Sequence, residues 1–272
     1  MDIKTLYDEI LPWEWPENAG EIFTKVLNDP SATLSDRLMA AEMAGDLVVF
    51  DDGLAATLLR VVSNSDEPVD LRKKAVISFG PAFENADIFA FEDPDDIVIS
   101  EEEFHKLKKS LKHLYYDASV PEEVRRSILE AIIRAPEDWH TAAVRAAFNS
   151  SDEGWRITAV FCMRFINGFD RQILDSLASD NPNIRYQAIV AAGNWGLQES
   201  WPLIQGLFAS PSSDRNMLFA AIDAAAGIGT PEAVSALSRC LISDDDDIVE
   251  AAEEALEMLS LDDFDDEDFE MD

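Results

Sequence analysis

Apolar residues in this chain fall three and four apart in blocks separated by short polar breaks, and one block recurs. Its fullest copy is Asn183-Ile184-Arg185-Tyr186-Gln187-Ala188-Ile189-Val190-Ala191-Ala192-Gly193. Offset copies align on an arginine ahead of an apolar, alanine-rich run: Arg37, Arg72, Arg125, Arg156 and Arg185, with Leu218 and Val249 in the same slot afterwards. The steps between slots are 35, 53, 31, 29, 33 and 31 residues, so one interval carries an insertion. Each copy is followed by a polar break and a second, looser run with helical spacing, such as 201–209 or 231–241. A two-helix period of this length predicts an α-solenoid, in which no repeat buries its apolar face alone and neighbours stack into a shared core.

The spacing predicts seven helix pairs: 16–28 with 35–47, 53–63 with 69–80, 103–116 with 121–135, 139–149 with 154–166, 170–178 with 183–195, 201–209 with 213–227, and 232–242 with 247–259. A short helix over 3–10 caps the start. Ser100 with Glu103 and Ser119 with Glu122 read as capping boxes, while Thr230-Pro231 and Ser200-Trp201-Pro202 place Pro in a first turn. Gly227 and Gly229 read as C-terminal stops.

The residues around the slot resemble HEAT repeats. The best-written repeat runs Ser179-Asp180-Asn181-Pro182-Asn183-Ile184-Arg185, then Ala188, Ala191, Ala192 and Gly193. Asp29, Asp66, Asp117, Asp152, Asp180 and Asp244 stand a few residues ahead of successive slots. The resemblance implies that these Asp and Arg ladders hold neighbouring repeats together, a structural role, and it covers about Trp15 to Leu259. It implies an all-α chain with a capping helix in 1–15, a solenoid over 16–260 interrupted by an acidic insertion at 84–103, and an acidic tail over 261–272. The repeat is a stacking rule and names no activity.

Composition supports the helical reading, with 47% hydrophobic residues and only 11 Gly and 12 Pro in 272 residues. Two cysteines, Cys162 and Cys240, lie in apolar helical stretches and read as buried free thiols of a reducing compartment. Met1 to Ile10 has no signal-sequence pattern, and apolar runs such as 159–163 fall short of a membrane span. A soluble, cytoplasmic protein with no membrane association is therefore expected.

Charge changes the picture most. The formal net charge is -34, and from Asp244 to Asp272 there are 16 acidic residues and no basic one. The end, 261–272, mixes like charges with spaced apolar residues and reads as disordered. It is either a solubilising end cap or a bait for a basic partner with Phe264, Phe269 and Met271 as anchors. The insertion from Glu84 to Glu103 holds nine acids and no base, without the alternation and central glycine of a calcium loop. Between Phe104 and Arg134 the sign reverses, with seven bases against four acids. That short patch, in a chain of pI near 4.1, does not make a nucleic-acid binder.

Catalytic chemistry is sparse. His105, His113 and His140 are the three histidines, and none sits at a metal-ligand spacing. No His-Glu dipeptide occurs, which by resemblance sets aside the iron-binding HEAT-repeat hydroxylases. Glycine-rich phosphate loops and a nucleophile elbow are absent. No cofactor, metal or catalytic residue is expected, although the short HEAT-like repeats of phycobilin lyases leave pigment handling open by resemblance. The sequence therefore points to a non-enzymatic scaffold that holds a protein partner with a basic segment along its second helices. The candidate partner-binding residues are Arg126, Arg156, Arg185, Trp195, Glu250, Glu253, Glu254 and Glu257. A chaperone or charge mimic acting through the tail is the other alternative.

Overall fold

The computed structural model describes residues 2–92, 98–209 and 214–267, with side chains described up to residue 259. In chain order the helices are α1 (Ile3–Glu9), α2 (Ala19–Asn28), α3 (Leu34–Met43), α4 (Asp52–Ser63), α5 (Val69–Ile77), α6 (Gly80–Phe89), α7 (Glu101–Tyr116) and α8 (Glu122–Ile132). They continue with α9 (Asp138–Phe148), α10 (Glu153–Cys162), α11 (Asp170–Leu177), α12 (Pro182–Asn194), α13 (Trp201–Ile204), α14 (Arg215–Ile228), α15 (Pro231–Cys240) and α16 (Asp246–Glu267). Among the described residues there is no strand. The fold is an α-solenoid: α2 packs on α3, α4 on α5, α7 on α8, α11 on α12 and α15 on α16, and within each unit second helices stack on second helices.

The chain divides into two compact units, 1–140 and 141–272. In the N-terminal unit α3, α5 and α8 form the row of second helices, backed by α2, α4 and α7. Its core holds Phe23, Leu58, Phe79, Phe83, Leu107 and Ile128, all fully buried. In the C-terminal unit α10, α12, α14 and α16 form the corresponding row, with α11 and α15 behind α12 and α16.

All seven slots read from the sequence share one structural position. The backbone N–H of Arg37, Arg72, Arg125, Arg156, Arg185, Leu218 and Val249 closes the first turn of a second helix onto the carbonyl four residues before it. Those carbonyls belong to Thr33, Pro68, Pro121, Asp152, Asn181, Asp214 and Asp245. Several of the arginine side chains turn back onto carbonyls at the end of the preceding helix or in the connecting turn. Arg37 Nη2 donates to Leu27 O at 2.9 Å, Arg72 Nε to Val62 O at 2.8 Å, and Arg125 Nε to Val120 O at 3.1 Å. A cation there also offsets the negative end of the helix dipole.

The aspartate ladder is assembled differently from the expectation. Asp29 and Asp117 each accept the N–H two residues on, at 2.8 Å. Asn64, Ser150, Ser179 and Ser243 do this in the other repeats, while Asp152 caps α10. Asp, Asn and Ser oxygens all close such a turn, so residue type alone does not mark the position. The turn acceptor stands four residues before the first-turn carbonyl in the N-terminal unit and two before it in the C-terminal unit. Bonds between repeats come instead from Arg37 to both oxygens of Glu67 at 2.7 Å, from Arg60 to Asn28, and from Arg215 to Asp245 and Asp247.

Several boundaries shift. The acidic insertion opens as helix α6, because Pro81 sits in its first turn and Ala82, Phe83 and Ala86 bury on one side. Ala90 ends it in the left-handed region at φ 48°, and Phe91 behind it packs edge-on to Phe104 at 5.3 Å. Ser100 caps α7 as expected, whereas Ser119 donates its N–H to Asp117 and Pro121 precedes α8. Gly229 is the C-cap of α14 at φ 63°, but Gly227 lies inside that helix. Residues 205–209 form a 3-10 turn. Helix α16 reaches Glu267, past the expected end at 259 and into the segment read as disordered, since elongating a helix needs no new nucleus. Residues 268–272 of that tail lie outside the described residues. Cys162 is buried and Cys240 half-buried, and neither is in a disulfide.

Candidate protein-binding face of the second helices

The shared first-turn carbonyl gives the second helices of the C-terminal unit one register. Eight residues on from it stand Val160, Ile189 and Ile222, all buried at 0 to 3% exposure between neighbouring helices. Five residues on stand Ile157, Tyr186, Phe219 and Glu250, and nine on stand Phe161, Val190, Asp223 and Glu254. None of these eight is buried. Positions five and nine share a helical face, so this row leads from apolar and aromatic residues on α10 and α12 to carboxylates on α14 and α16.

Between α12 and α14 the row opens into a groove of about 480 Å³. Pro182, Asn183, Tyr186 and Gln187 form one wall, and Asn216, Met217, Phe219, Ala220 and Asp223 form the other. Tyr186 is 37% exposed. Phe219 is fixed by Arg215, whose guanidinium lies 5.2 Å from the ring centre while its nitrogens hold Asp245 and Asp247. Arg164 lies 4.3 Å over Phe161 and hydrogen-bonds Gln187. Loss of hydration pushes the Asp223 carboxyl above its usual range, and the charge of Glu254 pushes it further. Among the described residues, Asp223, Glu250 and Glu254 have no ion-pair partner.

The predicted site residues separate on this frame. Glu250 and Glu254 continue positions five and nine of the row onto α16, outside the residues that line the groove. Glu253 takes the position of Ile222, Ile189 and Val160, and with Glu257 it belongs to the face where a further repeat would stack; a polar outer face closes a solenoid in this way. Arg185 is exposed and donates to Ser179 O at 3.3 Å, tying helix to turn, whereas Arg156 lies 3.8 Å from Glu153 within the first turn of its own helix. Arg126 occupies position five of α8, in the N-terminal unit, half-buried. Trp195 is 38% exposed, and its Nε1 donates to Met163 O at 2.7 Å, joining α12 to the end of α10. Tyr186, Phe219 and Asp223 were missed, although counting five and nine residues from each first-turn carbonyl would have found them.

No group of three or more His, Cys, Asp or Glu among the described residues is arranged to hold a metal ion. Among the same residues no helix is long and apolar enough to cross a membrane.

A family model described as HEAT repeats matches residues 171–257, the segment that builds the groove. That segment of the chain is built of HEAT-like repeats. No curated protein sequence matches it. Among solved structures it is similar to the Escherichia coli protein YibA, at 16% identity over 94% of this chain and 90% of that one, with a TM-score of 0.46. It is similar also to the CpcE–CpcF complex of phycocyanin lyase from Nostoc sp. PCC7120, at 14% identity over 93% and 98%, TM-score 0.46. Human deoxyhypusine hydroxylase follows at 15% identity over 95% and 88%, TM-score 0.41. Similarity at this level carries no activity over to the HEAT-like chain.

Proposed function

We propose that this HEAT-like protein is a non-enzymatic scaffold that holds a protein partner on the exposed face of α12, α14 and α16. One observation carries the reading: an open groove in which exposed Tyr186 and half-buried Phe219 meet Asp223, with Glu250 and Glu254 continuing the same row on α16, and none of the three carboxylates has an ion-pair partner among the described residues. A solvent-facing Tyr beside unpaired acids suits a basic side chain, which stacks on the ring while its charge meets Asp223 and Glu254. The net charge of -34 speeds the encounter with such a partner and makes it salt-dependent. A single cation–π contact at an exposed site contributes about 0.5 to 1 kcal/mol, so affinity has to come from several repeats together.

Affinity capture with the full chain and with a Phe219→Ala, Asp223→Lys double variant tests this. One stoichiometric partner should be retained by the wild type at moderate salt and lost with the double variant. Equal retention by both forms would place the binding surface elsewhere.

A further inference from the structure

The arginines of the chain are almost all engaged. Arg37, Arg60, Arg72, Arg125, Arg134, Arg164, Arg185, Arg215 and Arg239 donate hydrogen bonds, Arg156 pairs with Glu153, and Arg126 has an interaction of its own. Arg145 and Arg171 are the exceptions: among the described residues neither has a hydrogen-bond or ion-pair partner. Both line one pocket of about 410 Å³ between α9 and α11, with Phe148, Asn149, Phe169 and Gln172. In a chain of 55 acids and 21 bases, two unengaged guanidiniums meeting in one pocket are not expected from composition.

The pocket is shaped for more than charge. Arg145 lies 5.7 Å from the centre of the buried Phe169 ring, a contact that holds the guanidinium while leaving its N–H groups free. Asn149 and Gln172 add amide donors, and Phe148 adds an apolar wall. Two carboxylates stand nearby: Asp170 precedes Arg171, and Asp175, one turn on from it, lines the pocket rim without pairing with it. We propose that this pocket is an oxyanion site, taking a carboxylate or phosphate that carries an apolar neighbour. It lies on α9 and α11 and shares no residue with the groove of the second helices, so it does not rest on the scaffold reading.

The test follows the arginine Nε–Hε resonances of the full chain by NMR while two probes are added separately, phenylacetate and inorganic phosphate. Saturable shifts at both Arg145 and Arg171, with exposed Arg239 unmoved, are expected with at least one probe. Arg145→Lys should weaken the response read at Arg171 by about tenfold, because lysine lacks the planar fork, and Arg171→Lys should do the same at Arg145. Saturation by phenylacetate identifies a carboxylate ligand, and saturation by phosphate alone identifies a phosphate-bearing one. The proposal is overturned if neither probe saturates, or if Arg239 shifts in parallel.

Discussion

The closest approach in the C-terminal unit makes its sharpest prediction. Helices α12 and α14 come together where Gly193 faces Ala224 and Gly227. A Cβ at Gly227 would stand 2.1 Å from the carbonyl oxygen of Gly193 and 2.9 Å from its carbon. Ordinary contact needs about 3.5 Å, and the group struck is backbone, so the two helices must part by roughly 1 Å at this point. Gly227→Ala gains about 1 kcal/mol of helix propensity against an overpacking cost of about 1 to 3 kcal/mol, occasionally more. The size of the clash puts the cost at or above the upper end, giving a net loss of about 2 kcal/mol. With a urea m-value of about 2 kcal/mol/M, the midpoint falls by roughly 1 M. Trp155, Trp195 and Trp201 report on the C-terminal unit, so fluorescence-monitored urea unfolding is the assay. Gly206→Ala is the control: a Cβ there would meet nothing within 4 Å, so a change within about 0.5 kcal/mol is expected. A Gly227→Ala protein as stable as wild type would refute the close α12–α14 approach.

Other predictions follow from single contacts. The Arg37 hydrogen bonds hold the Glu67 carboxyl below its ordinary value of 4.5, so their stabilisation is present above that pH and lost as pH falls through the lower folded value. Glu67→Gln should cost about 1 to 3 kcal/mol at pH 7 and flatten the acid limb of a urea-midpoint titration; an unchanged limb would contradict the pairing. Burial lowers His140 from 6.5 to about 4, and the unfolded chain therefore takes up this proton first as pH falls. Stability complete above pH 6.5 should drop by about 3 kcal/mol towards pH 4, and His140→Gln should remove that slope. Glu253→Ile restores at the end of the stack the apolar residue that position eight carries in α10, α12 and α14. It should produce concentration-dependent self-association in sedimentation, absent from the wild type.

The repeats were legible because a helix start has local chemistry: the seven slots each mark a first turn closing on its cap, wherever the side chain then points. The ladder was less so, since Asn64 and Ser150 make the same turn as Asp29 while Asp66 and Asp180 do not. Helix α6 was hidden because its buried Phe83 and Ala86 are few beside the acids that surround them. The groove was hidden by helical phase. Glu250, Glu253, Glu254 and Glu257 read as one acidic row, yet 100° per residue sends Glu250 and Glu254 to the open face and Glu253 to the end of the stack. Tyr186 and Ile189 are three residues apart in one apolar run, and only the neighbouring helices determine which is covered. Arg185 is a candidate partner-binding residue in the sequence, whereas in the structure its side chain donates to Ser179 O in the turn behind it.

The most direct test of the scaffold account is site-specific photo-crosslinking from the groove. A benzophenone side chain at Tyr186 should give one major adduct in native extract, lost at high salt, with the crosslinked peptide of the partner rich in Lys or Arg. The same group at Leu203, 54% exposed on α13, should give no such adduct. Adducts from Leu203 with none from Tyr186 would contradict the account and move the binding face off the second helices.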